Sequence, residues 1–362
     1  LEQIKGVAQD RKNPTEAETD KDLAVIASES RAVRIYNSTE GMQDVPRIAA
    51  RYGLSVIAGA WIDGDLAKND REIAGVIKEA RENPNVRRIL IGNEALLRGD
   101  VSEAQLAGYI HYVRTQVKVP VSTAEPWHVW TVTHPELGKE VDFIAIHILP
   151  YWEGIAAGQA LNHTLARYQE VKDRFHDKPV VITEVGWPSE GRIRRDAVPS
   201  VANEGVFLRD FLNIANKRGL DYYVMEAFDQ PWKRDIEGSV GGYWGIWDAN
   251  RNLKFPLMGP VQNVADWPKL AAAASLLAFL PMLLFVWRWR ELEPAGQLFF
   301  TGLIQITSSA LIWILYCGSQ TYFAAGTRWM GSCLLLRCAL LMIMLVAESI
   351  EVAEVVWSSR VT

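Results

Sequence analysis

The chain has 362 residues, a formal charge of −5 and 14 tryptophans. Its length exceeds one ordinary domain and suits a barrel with an addition, and the mild acidity argues against nucleic acid as a partner. All three cysteines, Cys317, Cys333 and Cys338, lie near the C-terminus, which excludes a disulfide framework or thiol chemistry before them.

Short apolar, β-branched runs alternate with helical segments over the first 266 residues. Strands are predicted at Ile4–Ala8, Ala32–Tyr36, Leu54–Ala60, Arg88–Ile91, Val119–Thr123, Val141–His147, Pro179–Thr183 and Tyr222–Phe228. Helices fit between them at Glu16–Ser28, Val45–Tyr52, Asp70–Glu82, Ser102–Val117, Ala160–Arg174 and Asn203–Arg218. Such alternation implies a parallel sheet. Eight strands over a segment of this length match an α/β fold of the (β/α)8, or TIM barrel, kind. A doubly wound open sheet is the alternative, weakened because no Gly-rich phosphate loop follows the first strand.

After Asp266-Trp267-Pro268 the composition changes. Leu270–Trp287 and Gln297–Tyr316 carry no charge, and Gly331–Ala347 is broken only by Arg337. The first two have the length and purity of transmembrane helices, and Pro281 is tolerable in one. We therefore expect two domains: a catalytic barrel over 1–266 and a membrane region over 267–362 with two to three transmembrane helices. Arg288 and Arg290 follow the first span, which favours a cytoplasmic loop there and places the barrel on the opposite side, the periplasm of a Gram-negative cell. The chain begins at Leu1 without a signal-peptide pattern, which fits trimming from a longer product.

Two strings carry the chemistry. Ile91-Gly92-Asn93-Glu94 and Ile182-Thr183-Glu184-Val185-Gly186-Trp187-Pro188 each place a glutamate where a predicted strand ends. In a βα-barrel such carboxylates converge at the mouth. Paired there, one as acid and one as nucleophile, they can cut a glycosidic bond. Tryptophans also cluster after predicted strands, at Trp61, Trp127, Trp130, Trp152, Trp187, Trp232, Trp244 and Trp247. Half or more of these belong to core by default, and three or four are expected to line a sugar-binding groove.

At these residues the chain resembles glycoside hydrolase family 17, in its bacterial branch. The Glu184 string resembles that family's nucleophile motif and Gly92-Asn93-Glu94 its acid/base motif. Ala124-Glu125-Pro126-Trp127-His128-Val129-Trp130, Leu149-Pro150-Tyr151-Trp152-Glu153-Gly154 and Met225-Glu226-Ala227-Phe228-Asp229-Gln230-Pro231-Trp232-Lys233 resemble bacterial members more narrowly. The resemblance implies a retaining enzyme on β-1,3-glucan, with Glu184 as nucleophile and Glu94 as acid/base. Some bacterial relatives join such a barrel through membrane helices to a family 2 glycosyltransferase that polymerises glucan. The implied partners are thus β-glucan, the lipid bilayer, and such a transferase downstream or as a separate chain. The implied location is the bacterial inner membrane, with the catalytic domain periplasmic.

Other site residues follow with their alternatives. Asn93 is expected on the sugar 2-hydroxyl or orienting Glu94, and Tyr36 on the nucleophile or in barrel packing. Glu125 is expected to bind substrate, and Glu226 to contact sugar, tune Glu184 or form an internal ion pair. Trp127, Trp152, Trp187 and Trp232 are candidate sugar platforms. His147 suits a hydrogen-bonding role near the cleft, and Tyr151 either meets substrate or packs beneath Trp152. Asp63-Gly64-Asp65 reads as an exposed loop. No His/Asp/Glu spacing suggests zinc, and neither a metal nor a cofactor is expected. Water or a second sugar can resolve a glycosyl-enzyme, and a tethered barrel beside a synthase favours transfer over hydrolysis. A glucan-binding module without turnover is the reading of a different class.

Overall fold

The computed structural model describes residues 13–321 apart from 263, 265 and 291, with side chains to residue 316. The predicted strand Ile4–Ala8, the span Gly331–Ala347, the side chain of Cys317, and Cys333 and Cys338 lie outside the described residues. Contacts divide the chain into two units at Asn263 and Val264.

The first unit opens with α1 (Glu16–Ala27) and then alternates strand and helix. The order is β1 (Ala32–Arg34), α2 (Val45–Arg51), β2 (Ser55–Ala60), α3 (Leu66–Glu82), β3 (Val86–Asn93), α4 (Glu103–Gln116) and β4 (Val121–Pro126). It continues with β5 (Ile144–Ile148), the short α5 (Pro150–Glu153), α6 (Ala157–Arg174), β6 (Val180–Val185), α7 (Val201–Arg218), β7 (Asp221–Val224) and the short α8 (Arg234–Glu237). All seven strands are parallel and lie in chain order.

The sheet curls into a nearly closed barrel of the (β/α)8 type, as contacts across it require. Arg34 on β1 reaches Glu184 on β6 at 2.9 Å, and Arg88 on β3 reaches Asp221 on β7 at 2.6 Å. Inside, Ile57, Leu90, Ala124, Ala145 and Val181 from β2 to β6 form a small buried cluster with Phe143. Outside, the larger core packs the other strand faces on the helices, with Val56, Ile89, Ile144 and Ile182 meeting residues such as Ile73, Ile110 and Phe211.

Local chemistry explains the helix boundaries. Thr15 with Glu18, and Ser102 with Gln105, form reciprocal capping boxes at α1 and α4, which satisfy otherwise orphaned amides. Asp65 accepts from the amide of Lys68 and starts α3, so the Asp63-Gly64-Asp65 stretch serves as a helix cap. The predicted last strand, Tyr222–Phe228, ends early at Val224. Beyond it the backbone pairs elsewhere: the amide of Glu226 donates to Trp244 O at 2.9 Å, and Phe228 bridges Trp247.

Two strands carry an extra residue near their C-terminal ends: β3 between Leu90 and Asn93 against β4, and β6 between Ile182 and Val185 against both of its neighbours. Bulges re-aim side chains and concentrate beside active sites. Here they lie beside Glu94 and Glu184, at the mouth that His147 also lines.

The second unit holds α9 (Trp267–Arg288) and α10 (Pro294–Thr321). Trp267–Arg288 and Pro294–Tyr316 are long and apolar enough to cross a membrane. Twenty-two helical residues span about 33 Å, close to the hydrocarbon thickness of a bilayer. The pair meets through Phe285, whose ring lies 5.4 Å from that of Phe300, while most of both surfaces carries exposed Leu, Phe and Trp.

Candidate active site

A cavity of about 570 Å³ opens at the C-terminal ends of the strands, with both Glu94 and Glu184 in its wall. Glu184 is 5% exposed. Its Oε1 accepts from Arg34 Nη1 at 2.9 Å and from the Tyr36 hydroxyl at 2.9 Å. Tyr36 and Arg34 alternate along one strand face, and the guanidinium also lies 4.4 Å over the Tyr36 ring. Arg34 further donates to Thr183 O at 2.9 Å and to Asn93 Oδ1. One buried cation therefore ties β1 to the ends of β3 and β6.

Glu94 follows Gly92 and takes a left-handed backbone at φ 55°, unusual for a residue with a Cβ and a recurrent feature of functional sites. His147 Nδ1 donates to Glu94 Oε1 at 2.8 Å. Its Nε2 lies 3.3 Å from Arg34 Nη1 and 3.3 Å from Glu184 Oε1. Burial raises the pKa of Glu94, but the hydrogen bond from His147 and the positive potential of His147, Arg98 and Arg34 outweigh it and hold the carboxyl below its ordinary value.

Donor atoms of Glu94, His147 and Glu184 all lie within 4.8 Å of one another. The two carboxylates thus approach as a retaining pair does, at roughly 5 Å, and not at the roughly 6.5–9.5 Å of an inverting pair. By proximity the three could also hold a cation. The Arg34 guanidinium already faces the same Glu184 oxygen and His147 nitrogen, so a metal would have to compete with a fixed positive charge.

The sequence-predicted residues divide by position. Tyr36, Asn93, Trp127, His147, Trp152 and Trp232 line the cavity with the two glutamates. Trp127 is fixed by its indole N–H to Glu153 at 3.1 Å and by Arg167 over its face at 4.6 Å. Trp152 stacks on the buried Trp244 at 5.9 Å. Trp232 donates to Gln230 at 2.7 Å.

Four expected substrate contacts lie elsewhere. Trp187 is fully buried, donates to Val198 O and packs on Tyr151 and Phe207, so it belongs to the core under the site. Tyr151 is likewise buried, with its hydroxyl on Arg192 O at 2.8 Å and its ring against Trp152. Glu226 forms an internal ion pair with Lys233 at 2.8 Å. Glu125 is buried behind the wall, with its oxygens on backbone amides of the turn after Glu94.

Arg34, Arg98 and Glu153 escaped the sequence reading. For Arg34 the available signal was a charge within an apolar strand, two residues before Tyr36. Arg98 stacks 4.5 Å over Trp61, which also lines the cavity, and donates to Ile62 O and Asn93 O. Nothing in the spacing of Arg98 signalled this.

Comparisons with known proteins agree on the family. The description "BtgE/BtgC glycoside hydrolase domain" matches residues 5–245, well over half of the chain. A glucan 1,3-beta-glucosidase of Schizosaccharomyces pombe is 31% identical over 257 residues, covering 65% of this chain and 79% of that protein. The btgC protein of Aspergillus niger, named for glucan endo-1,3-beta-glucosidase, is 27% identical over 281 residues, covering 67% of this chain. The chain spans 40% of the length of that Aspergillus relative.

Among solved structures, the family 17 beta-1,3-glucanosyltransferase of Rhizomucor miehei aligns with a TM-score of 0.61 at 30% identity, covering 68% of this chain and 92% of that one. An active-site mutant of the same enzyme in complex with laminaritriose aligns at 29% identity with the same TM-score and coverage. These relatives are fungal and do not single out the bacterial branch read from the motifs. The chain belongs to the BtgE/BtgC glycoside hydrolase family, within the family 17 group of β-1,3-glucanases and glucanosyltransferases.

Proposed function

We propose that this chain is a retaining β-1,3-glucan-active enzyme whose main reaction is glucanosyl transfer. The approach of the Glu94 and Glu184 carboxylates to within 4.8 Å at the barrel mouth carries the reading. A Glu184 oxygen attacks the anomeric carbon, and the bond from that carbon to the bridging oxygen breaks. Glu94 gives its proton to the departing oxygen. Glu94 then takes a proton from the incoming hydroxyl, which attacks the anomeric carbon and releases Glu184.

Arg34 and Tyr36 hold one oxygen of Glu184, leaving the other for attack. Asn93, with its carbonyl oxygen on Arg34, has amide N–H groups to offer a sugar 2-hydroxyl. Trp61, Trp127, Trp152 and Trp232 supply ring faces for sugar stacking. The similarity to a glucanosyltransferase in complex with laminaritriose supports β-1,3-glucan as donor. The similarity to a protein named as a glucosidase favours hydrolysis as the second reading.

The proposal extends to location. The two apolar helices support membrane attachment, and Arg288 and Arg290 support a cytoplasmic loop after α9 with the barrel across the membrane, periplasmic if the host is Gram-negative. A family 2 glycosyltransferase, in the same polypeptide or a separate one, is the partner this arrangement suits. It rests on the sequence resemblance alone.

The test is incubation of the detergent-solubilised full chain with β-1,3-gluco-oligosaccharides, with Glu184→Gln as control. Products longer than the donor, absent with the variant, are the expected result. Shorter products alone would make the enzyme a hydrolase. Binding without turnover would leave a glucan-binding module.

A further inference from the structure

Glu125 is fully buried, outside the cavity, and forms no ion pair among the described residues. Leaving a carboxylate buried without a counter-ion is costly, so its hydrogen bonds show what it is there to hold. Oε1 accepts from the amide of Leu96 at 2.8 Å, and Oε2 faces the amide of Leu97 at 3.3 Å. The preceding residue on β4 contributes as well, since the amide of Glu94 donates to Ala124 O at 2.8 Å. Two successive residues of one strand thus hold the amides of Glu94, Leu96 and Leu97.

The turn so held is the one on which Glu94 stands at φ 55°. From its other side, Arg98 donates to Asn93 O and Ile62 O. A turn with an unfavourable backbone persists only when its surroundings over-determine it. Burial pushes the Glu125 carboxyl up to about 7 while the Leu96 and Leu97 amides pull it down; in its ionised form it accepts two converging N–H groups at once, and charge-assisted bonds to amides are the stronger kind. A neutral amide side chain would accept only one and set its own N–H against the other.

We infer that Glu125 is a positioning residue that aims Glu94 by gripping the Leu96 and Leu97 amides. The inference rests on the proposed role of Glu94 as the acid. It predicts that loss of Glu125 harms the step in which the departing oxygen needs a proton and spares a step that needs none.

The experiment compares kcat/KM of the full chain and Glu125→Gln on a β-1,3-gluco-oligosaccharide and on a β-laminaribioside with a 2,4-dinitrophenolate leaving group, which departs unprotonated. The expected loss is about 10²-fold on the oligosaccharide, the scale of a misplaced catalytic group, and less than about threefold on the activated substrate. Equal losses on both substrates, or no loss on either, would overturn the inference. Glu94→Gln is the reference. Should it lose activity equally on both substrates, the acid role itself falls; should it show the selective loss while Glu125→Gln does not, only the present inference falls. If Glu125→Gln does not accumulate as folded protein, Glu125→Asp, which keeps the charge on a side chain one methylene shorter, is read by the same comparison.

Discussion

Arg34 Nη1 and Glu184 Oε1 meet at 2.9 Å across the barrel, with both side chains 7% exposed or less. Each is the other's counter-charge in a place water scarcely reaches. Removing one partner of such a pair is far more damaging than removing both. Arg34→Met is therefore expected to destabilise the barrel by about 3 kcal/mol or more, seen as a drop in the Tm followed by tryptophan fluorescence. Arg34→Met combined with Glu184→Gln should recover part of that drop. A double variant no more stable than Arg34→Met would show that the pair is not coupled.

In the proposed reaction the acidity of Glu94 sets the pH profile. As acid, Glu94 must carry its proton, so kcat/KM falls as pH rises through its pKa in the free enzyme. His147, Arg98 and Arg34 hold that pKa low against burial, which places the alkaline limb in the acid range. Replacing His147 with Asn removes the largest of the opposing influences and leaves burial dominant. The limb should then move up by about one pH unit or more. An unmoved or lowered limb would contradict this account of the site.

Glu79 gives a prediction independent of catalysis. It is 3% exposed on α3, and neither carboxyl oxygen has a hydrogen-bond partner among the described residues. Burial, then Glu72 and Asp44, push its pKa to about 9. The folded protein therefore keeps a proton that the unfolded chain loses above about 4.5. Stability supplied by that proton is complete below this value and drains away as pH climbs toward 9. Glu79→Gln should flatten the decline and, near pH 8, stabilise the barrel by about 1–3 kcal/mol. Thermal scans at pH 5 and pH 8 check it; parallel shifts at both would refute the assignment.

Trp152 and Trp187 should fail in opposite ways. Trp152 lines the cavity and Trp187 is sealed beneath it. Trp152→Ala is expected to raise KM for oligosaccharides about tenfold, the worth of one aromatic contact, with little change in Tm. Trp187→Ala should cost about 3–5 kcal/mol of stability, as large-to-small core changes do, with KM nearly unchanged in whatever protein remains folded. Titrating substrate against both variants beside their melting curves separates the two outcomes.

Much of the architecture was legible because periodicity reports burial directly. Seven of the predicted strands and all six predicted helices have counterparts within a few residues. The glutamates were legible because strand-end position decides where a side chain faces. Depth was not legible: Trp152 and Trp187 both follow strands in aromatic company, yet one meets the cavity and the other the α7 core. Bulges in β3 and β6 were invisible too, since a register shift depends on the neighbouring strand. Arg34 was passed over because a charge within a strand only makes sense once its counter-charge, 150 residues later, is known to lie opposite.

Arg34 also makes enzymatic turnover a witness to folding. Its partners lie just beyond β1 and on β3, β5 and β6, so the constellation has no meaningful fragment. Only when β1 has come round to β6 does Glu184 acquire both its cation and its tyrosine. A refolding chain followed by helix signal should regain much of that signal before it cleaves or transfers a single bond. The lag between the two would time the last event in closing the barrel.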